Sequence, residues 1–212
     1  MNTLQLDQTI NQLLKNNNNK FNVQVLPSDV TLRFLQQLLL TNNNGIHCVV
    51  ANLDDSRNSG SHWICMLLDL NKNSAQLFDS LAIHDYYPFN IVKICKLLKK
   101  KFSKKFKTNK GMRFQSLSSN CCGHYCALFF HHRVLLGSTF ESFCHLLHCK
   151  YPTDCSRDCA VYETVYKLTE NGLGYISNNP SSNCICIQVC SAVATDRRYI
   201  QNHHRHRRRF CF

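Results

Sequence analysis

Four side chains in this sequence have the joint chemistry to break an acyl bond: the Cys122 thiol, the His62 imidazole, the Asp79 carboxylate and the Gln115 amide. Cys122 is followed by Gly123 and then by Tyr125-Cys-Ala-Leu-Phe-Phe130, an apolar run that reads as a buried helix. A thiol at a helix start meets amides without internal partners and the positive end of the helix dipole, and both lower its pKa. His62 opens an apolar strand in Gly60-Ser-His-Trp63, and Asp79 closes the next one in Leu77-Phe-Asp-Ser80. In this reading His62 takes the thiol proton and later returns it to a leaving amine, while Asp79 holds the far ring nitrogen. Gln115 and the Cys122 backbone N–H donate to the developing oxyanion, a contribution worth ~10²–10³ in rate per donor. Gly123 leaves room for a substrate carbonyl to approach, and Trp63, the chain's only tryptophan, serves both core and cleft wall.

The order along the chain is His, Asp, Gln, Cys, which excludes the papain arrangement with its cysteine ahead of its histidine. Cys121 is the competing thiol. It lacks the following glycine and sits one position further from the dipole, so it is assigned to packing. The chain has 14 cysteines, many in apolar runs (Cys48, Cys65, Cys95, Cys126, Cys144), and these read as reduced core residues. Neither Cys144, His148, Cys149, Cys155 and Cys159 nor Cys184, Cys186 and Cys190 have the paired spacing of zinc knuckles, so no metal site is expected.

The elements that must position these groups follow from periodicity. Leu6, Ile10, Leu13 and Leu14 predict a first helix over 4–15, ended by the Asn run 16–19. A second helix is expected to start with Ser28 as N-cap, to bury Val30, Phe34 and Leu38, and to stop at 42–45. Residues 46–51, 62–70 and 75–80 read as strands, the last two joined by the turn 71–73, so antiparallel pairing brings positions 62 and 79 together. An amphipathic helix over 90–106 buries Ile91, Ile94 and Leu98, and 112–115 reads as a short strand. Helices then run from 122 to about 136, from a capping box at Ser138-Thr-Phe-Glu141 to 147, and from Ser156 to about 168, with Val161, Val165 and Leu168 inward.

A length of 212 residues suits one domain with a substantial core, and 44% hydrophobic against 18% charged residues is a globular composition. Residues 1–24 form an N-terminal helix and Asn-rich linker, 25–171 the catalytic domain, and 172–212 a Cys/Arg/His-rich tail of uncertain order. The net charge of +12 points to an acidic partner, DNA first among them. Lys99, Lys100, Lys101, Lys104, Lys105 and Lys107 are the candidate DNA contacts, weighed against a merely solvated face. Phe102 and Phe106, at helical spacing, read as core rather than as base-stacking platforms. No apolar run approaches the ~20 residues of a membrane span, and the first residues do not read as a secretory signal, so a chain that is not secreted is expected.

Together, Gly60-Ser-His62-Trp63, Leu-Phe-Asp79-Ser80 and Gln115…Cys122-Gly123 resemble the adenovirus-type cysteine proteases (adenain) and their relatives in Polinton/Maverick elements and other DNA viruses. The wider clan holds the SUMO-specific proteases. The Cys122-Gly-His-Tyr segment leans to the viral branch, whereas Asp79-Ser80-Leu81 leans the other way, since adenain has a glutamate there. The resemblance spans roughly residues 25–168 and implies an α+β fold of the papain-like, adenain/ubiquitin-like-protease type, with a mixed central β-sheet packed by helices. It implies an endopeptidase that cuts viral precursor capsid and core proteins during virion maturation, acting as a monomer in the virion and the host nucleus or cytoplasm. The chemistry calls for no cofactor; DNA and an activating peptide are the stimulators known in that family. The alternatives are a deconjugating protease for SUMO or another ubiquitin-like protein, and a non-enzymatic basic nucleic-acid-binding protein.

Overall fold

The computed structural model describes residues 3–14, 21–41, 44–150 and 153–170. The Asn run 16–19 and the tail 172–212, with Cys184, Cys186 and Cys190, lie outside the described residues.

A five-stranded sheet organises the described residues, in the order β1 (Phe21–Leu26), β2 (Ile46–Asn52), β3 (Trp63–Asp69), β4 (Ser74–Phe78), β5 (Phe106–Thr108). β3 pairs antiparallel with both β2 and β4, while β1 and β5 join the edges in parallel. The central strands are apolar on both faces because both are covered. In β3, Trp63, Cys65 and Leu67 point to one core and Ile64, Met66 and Leu68 to the other. The first core lies under α1 (Thr3–Leu14), α4 (Cys122–Phe130), α5 (Phe140–Lys150) and α6 (Asp154–Glu170). The second lies under α2 (Ser28–Leu40) and α3 (Phe89–Phe102). The expected α+β class with a mixed sheet is therefore what is found.

Phe78, the last residue of β4, is a hub of the first core. Its ring stacks on Phe129 of α4 at 5.3 Å and on Phe114 at 5.7 Å, and meets Phe143 of α5 edge-on at 5.2 Å. Such pairs contribute about 0.5–1.5 kcal/mol beyond the area they bury. Here they fix the chain immediately before Asp79.

Several sequence expectations need correction. β1 was not foreseen. The helix expected to reach 106 ends at Phe102, and after a 3-10 turn the chain forms β5. Residues 112–115 are not a strand: the N–H groups of Phe114 and Gln115 both go to the Ser80 carbonyl, at 2.8 and 2.9 Å, which is no ladder. α2 buries Thr31, Leu35 and Leu38, leaving Val30 and Phe34 half-buried, because it packs against α3 as well as the sheet. Pro27 rather than Ser28 occupies the N-cap of α2. Thr139 caps α5 by accepting from the Ser142 N–H at 3.0 Å, in place of a box with Glu141. Thr153 does the same for α6, accepting from Ser156 N–H at 3.1 Å. Cys48, Cys65, Cys126 and Cys144 are free thiols buried in the core, as expected, and Cys95 is half-buried.

Candidate active site

α4 starts at Cys122 with Cys121 at its N-cap and without a side-chain cap, so the amides of its first turn stay open to the thiol. α4 packs against β3, whose first residue follows His62. The β3–β4 register pairs Cys65 with Phe78, so His62 and Asp79 lie just beyond adjacent strand ends. The His62 Nε2 and Asp79 Oδ1 are 2.7 Å apart, with His62 5% exposed and Asp79 fully buried. The other ring nitrogen, Nδ1, is the one left for the hydrogen bond between His62 and the Cys122 sulfur.

Electrostatics follow from this line of three groups. Burial disfavours a charged His62, but the Asp79 carboxylate and the Cys122 sulfur outweigh it and push the imidazole up to about 9. Burial likewise disfavours a Cys122 thiolate, yet the His62 hydrogen bond and charge, with the backbone N–H groups of Trp63 and Gly123, hold the thiol below its usual value. The two titrate as a pair, and both shifts favour its thiolate–imidazolium form. The thiols behind it go the other way, with burial driving Cys126 well up and Cys144 to about 12.

Asp79 is held on every side. Its Oδ1 accepts from the Leu81 N–H at 2.9 Å; its Oδ2 accepts from the Ile83 N–H at 3.0 Å and the Tyr87 hydroxyl at 2.9 Å. Burial works against ionisation here, and the His62, Leu81 and Tyr87 bonds more than reverse it, keeping the carboxyl below its usual range. The β5 register continues to Asn109, which sits against Asp79 and bonds its backbone.

Gln115 lies on the segment between β5 and α4 and is 1% exposed. Its Oε1 accepts from the Ser80 hydroxyl at 2.6 Å and its Nε2 donates to the Ser119 carbonyl at 2.7 Å. An amide nitrogen carries two protons, so one remains for a ligand. Asp79 and Ser80 thus serve two partners from adjacent positions, the first the histidine and the second the glutamine.

The structure accordingly brings His62, Asp79 and Cys122 together and fixes Gln115 beside the same Asp79-Ser80 step. Trp63 is 9% exposed in the first core, and its backbone N–H reaches the Cys122 sulfur. Gly123 is buried in the first turn of α4 and offers its own N–H to that sulfur. Cys121 is 3% exposed within the core cluster. Asp69 and Asp85, two further carboxylates near His62 and Asp79 in sequence, face Lys72 and Lys110 instead. Lys99, Lys100, Lys101, Lys104, Lys105 and Lys107 are all exposed, and Lys107 pairs with Glu141 at 2.6 Å. Phe102 is buried in the second core and Phe106 is half-buried against it. Sequence reasoning missed Tyr87, Asn109 and the structural role of Ser80; only Ser80 carried a signal, its adjacency to Asp79.

No protein-family model and no curated protein matches this sequence. Solved structures do. The ASFV pS273R protease aligns at 15% identity over 76% of this chain and 66% of its own, with a TM-score of 0.50. ChlaDub1 from Chlamydia trachomatis aligns at 11% identity over 84% of this chain and 95% of its own, with a TM-score of 0.55. The chain has the fold of these two proteins. It spans just under two thirds of the length of the ASFV protease. No helix among the described residues is long and apolar enough to cross a membrane.

Proposed function

We propose that this chain is a cysteine endopeptidase of a DNA virus or virus-like element that cleaves precursor capsid and core proteins. The observation that carries the reading is the unbroken line Asp79–His62–Cys122, with a 2.7 Å carboxylate contact on one ring nitrogen and the thiol on the other. The fold shared with the ASFV protease supports it.

In this mechanism the Cys122 thiolate attacks the scissile carbonyl carbon, and the carbonyl π pair moves onto oxygen. The free Nε2 proton of Gln115 and the Cys122 N–H stabilise that oxyanion. As the oxyanion collapses, the C–N bond breaks and the His62 Nδ1 proton passes to the departing amine. Water then gives a proton to Nδ1 while its oxygen attacks the thioester, and the acid product leaves the Cys122 sulfur. Asp79 keeps the ring oriented through both steps and stabilises the imidazolium. None of the steps draws on a cofactor. A monomer suffices, since every group belongs to one chain.

The exposed lysines of α3 and the turn after it support a role for DNA as an electrostatic guide that concentrates the enzyme on packaged genome, in the virion or the host nucleus. An activating peptide is the second stimulator that the resemblance implies. The test is turnover of a precursor peptide and of a SUMO conjugate across ionic strength, with and without duplex DNA, using wild type and Cys122→Ala. Cleavage of the precursor that Cys122→Ala abolishes, and a DNA stimulation that fades as salt rises, are expected. Faster turnover of the conjugate, indifferent to DNA, would favour a deconjugating protease. DNA binding with no Cys122-dependent cleavage would favour the non-enzymatic reading.

A further inference from the structure

The segment that carries Gln115 is gripped from a side that the catalytic line does not touch. Asp158, in the second turn of α6, is fully buried, and a buried carboxyl is costly unless its oxygens are satisfied. The neighbouring arginines do not neutralise it directly: Arg113 and Arg157 both contact Asp154, at 2.9 and 2.8 Å. Asp158 instead meets neutral partners, Ser116 and Tyr125, with the Ser119 side chain beside them. Its Oδ2 accepts from the Ser116 N–H at 3.1 Å, and its Oδ1 lies 2.9 Å from the Tyr125 hydroxyl. That hydroxyl also lies 3.0 Å from the Phe114 carbonyl.

These contacts bracket one residue. The Phe114 carbonyl belongs to the peptide plane before Gln115 and the Ser116 N–H to the plane after it, so together they set the two backbone dihedrals of Gln115. Asp158 touches the second plane directly and the first through a single hydroxyl. The proton inventory fits a neutral acid: Tyr125 has one proton for two acceptors, which an Asp158 O–H donating to the phenol oxygen resolves. Burial raises the Asp158 pKa in the same sense.

We propose that Asp158 is a positioning residue for the oxyanion site, fixing the Gln115 backbone from α6 through Ser116 and the Tyr125–Phe114 link. This rests on the hydrolase reading above and on Gln115 as an oxyanion donor. Asp158 touches no reacting atom. Its influence on the thiolate–imidazolium pair is therefore small and its influence on the transition state large.

The test compares full-length wild type, Asp158→Ala, Asp158→Asn and Tyr125→Phe on a fluorogenic peptide amide ending in Gly-Gly, alongside the rate of Cys122 alkylation by iodoacetamide. Alkylation needs the thiolate but no oxyanion donor. Asp158→Ala is expected to lower kcat by about 10²-fold, the scale of a 1 Å misplacement, with KM and alkylation rate little changed. Asp158→Asn is expected to restore most of kcat, since an amide can accept from Ser116 and donate to Tyr125. In a Gln115→Ala background the Asp158→Ala change should have no further effect on kcat. If Asp158→Ala does not fold, Tyr125→Phe, which cuts the link without opening a cavity, should show the same split at smaller amplitude. An unchanged kcat, a parallel loss of alkylation and turnover, or full additivity with Gln115→Ala overturns the positioning role while leaving the hydrolase reading intact. Wild type that cleaves no peptide overturns both.

Discussion

Asn109 clasps the backbone of Asp79 from both sides: its Oδ1 accepts from the Asp79 N–H at 2.9 Å and its Nδ2 donates to the Asp79 carbonyl at 2.7 Å. The same Nδ2 donates to the Met112 carbonyl at 2.9 Å, so one buried amide ties the end of β4 to the segment leading to Gln115.

Asn109→Ala leaves the Asp79 N–H without that acceptor. A buried donor stranded in this way costs about 1–3 kcal/mol, and stability by chemical denaturation should fall by that amount. Turnover should fall beyond the stability loss, because both Asp79 and the Gln115 segment lose their common anchor. A variant with wild-type kcat would remove Asn109 from the positioning of the site.

The charge line makes a pH prediction. His62 is raised from 6.5 to about 9 in the folded protein, so its contribution to stability is fully present below pH 6.5 and is lost as pH rises through about 9. The same deprotonation removes the acid that protonates the leaving amine. A plot of kcat/KM against pH should therefore have its alkaline limb near pH 9 and an acid limb below the ordinary thiol value, where Cys122 takes up its proton. Asp79→Asn, which removes the carboxylate charge, should move the alkaline limb downwards and lower kcat by up to ~10⁴-fold.

Gly60 precedes His62 by two residues and has φ +91°, in the left-handed region that side chains disfavour. A Cβ there would sit 2.5 Å from Asn52 Nδ2. Asn52 in turn accepts through Oδ1 from the Asp54 N–H at 2.9 Å and the Ser61 N–H at 3.2 Å. Gly60→Ala should therefore destabilise by about 1–3 kcal/mol and displace Ser61 and His62, visible as slower alkylation of Cys122. Wild-type alkylation kinetics in a folded Gly60→Ala protein would count against this coupling.

Ser80→Ala strands the buried Oε1 of Gln115 and leaves its amide held only through the Ser119 carbonyl. A loss within the ~10²–10³ range of a missing oxyanion donor is expected in kcat, with the His62 titration unmoved. Steady-state kinetics over pH would show both, and a shifted alkaline limb would mean that Ser80 acts through Asp79 instead.

The sequence made His62, Asp79 and Cys122 legible because each stands where a regular element begins or ends, and Gln115 legible through its spacing to Cys122, although its segment is irregular rather than the expected strand. The partners that hold them were not legible. Tyr87, Asn109 and Asp158 act across 8, 30 and 42 residues of chain, and nothing local distinguishes them from other polar residues. Edge strands were harder than central ones for a related reason. β1 carries Asn22 and Gln24 between its apolar residues beside an Asn run, and β5 continues a lysine-rich pattern that reads as helix until Ser103 turns at φ +49°. The inward face of α2 depended on α3, which lies almost fifty residues further on.

The helix that bears Cys122 is apolar nearly all round and lies between the sheet and three other helices. On its own such a segment has no reason to be helical in water, so its dipole, the Trp63 amide and the His62 ring converge on the sulfur only in the finished fold. A nascent or unfolded chain thus carries an ordinary thiol among 14. The activation of this thiol is therefore a property of the finished fold, and an unfolded chain has none of it to turn on its neighbours or on itself.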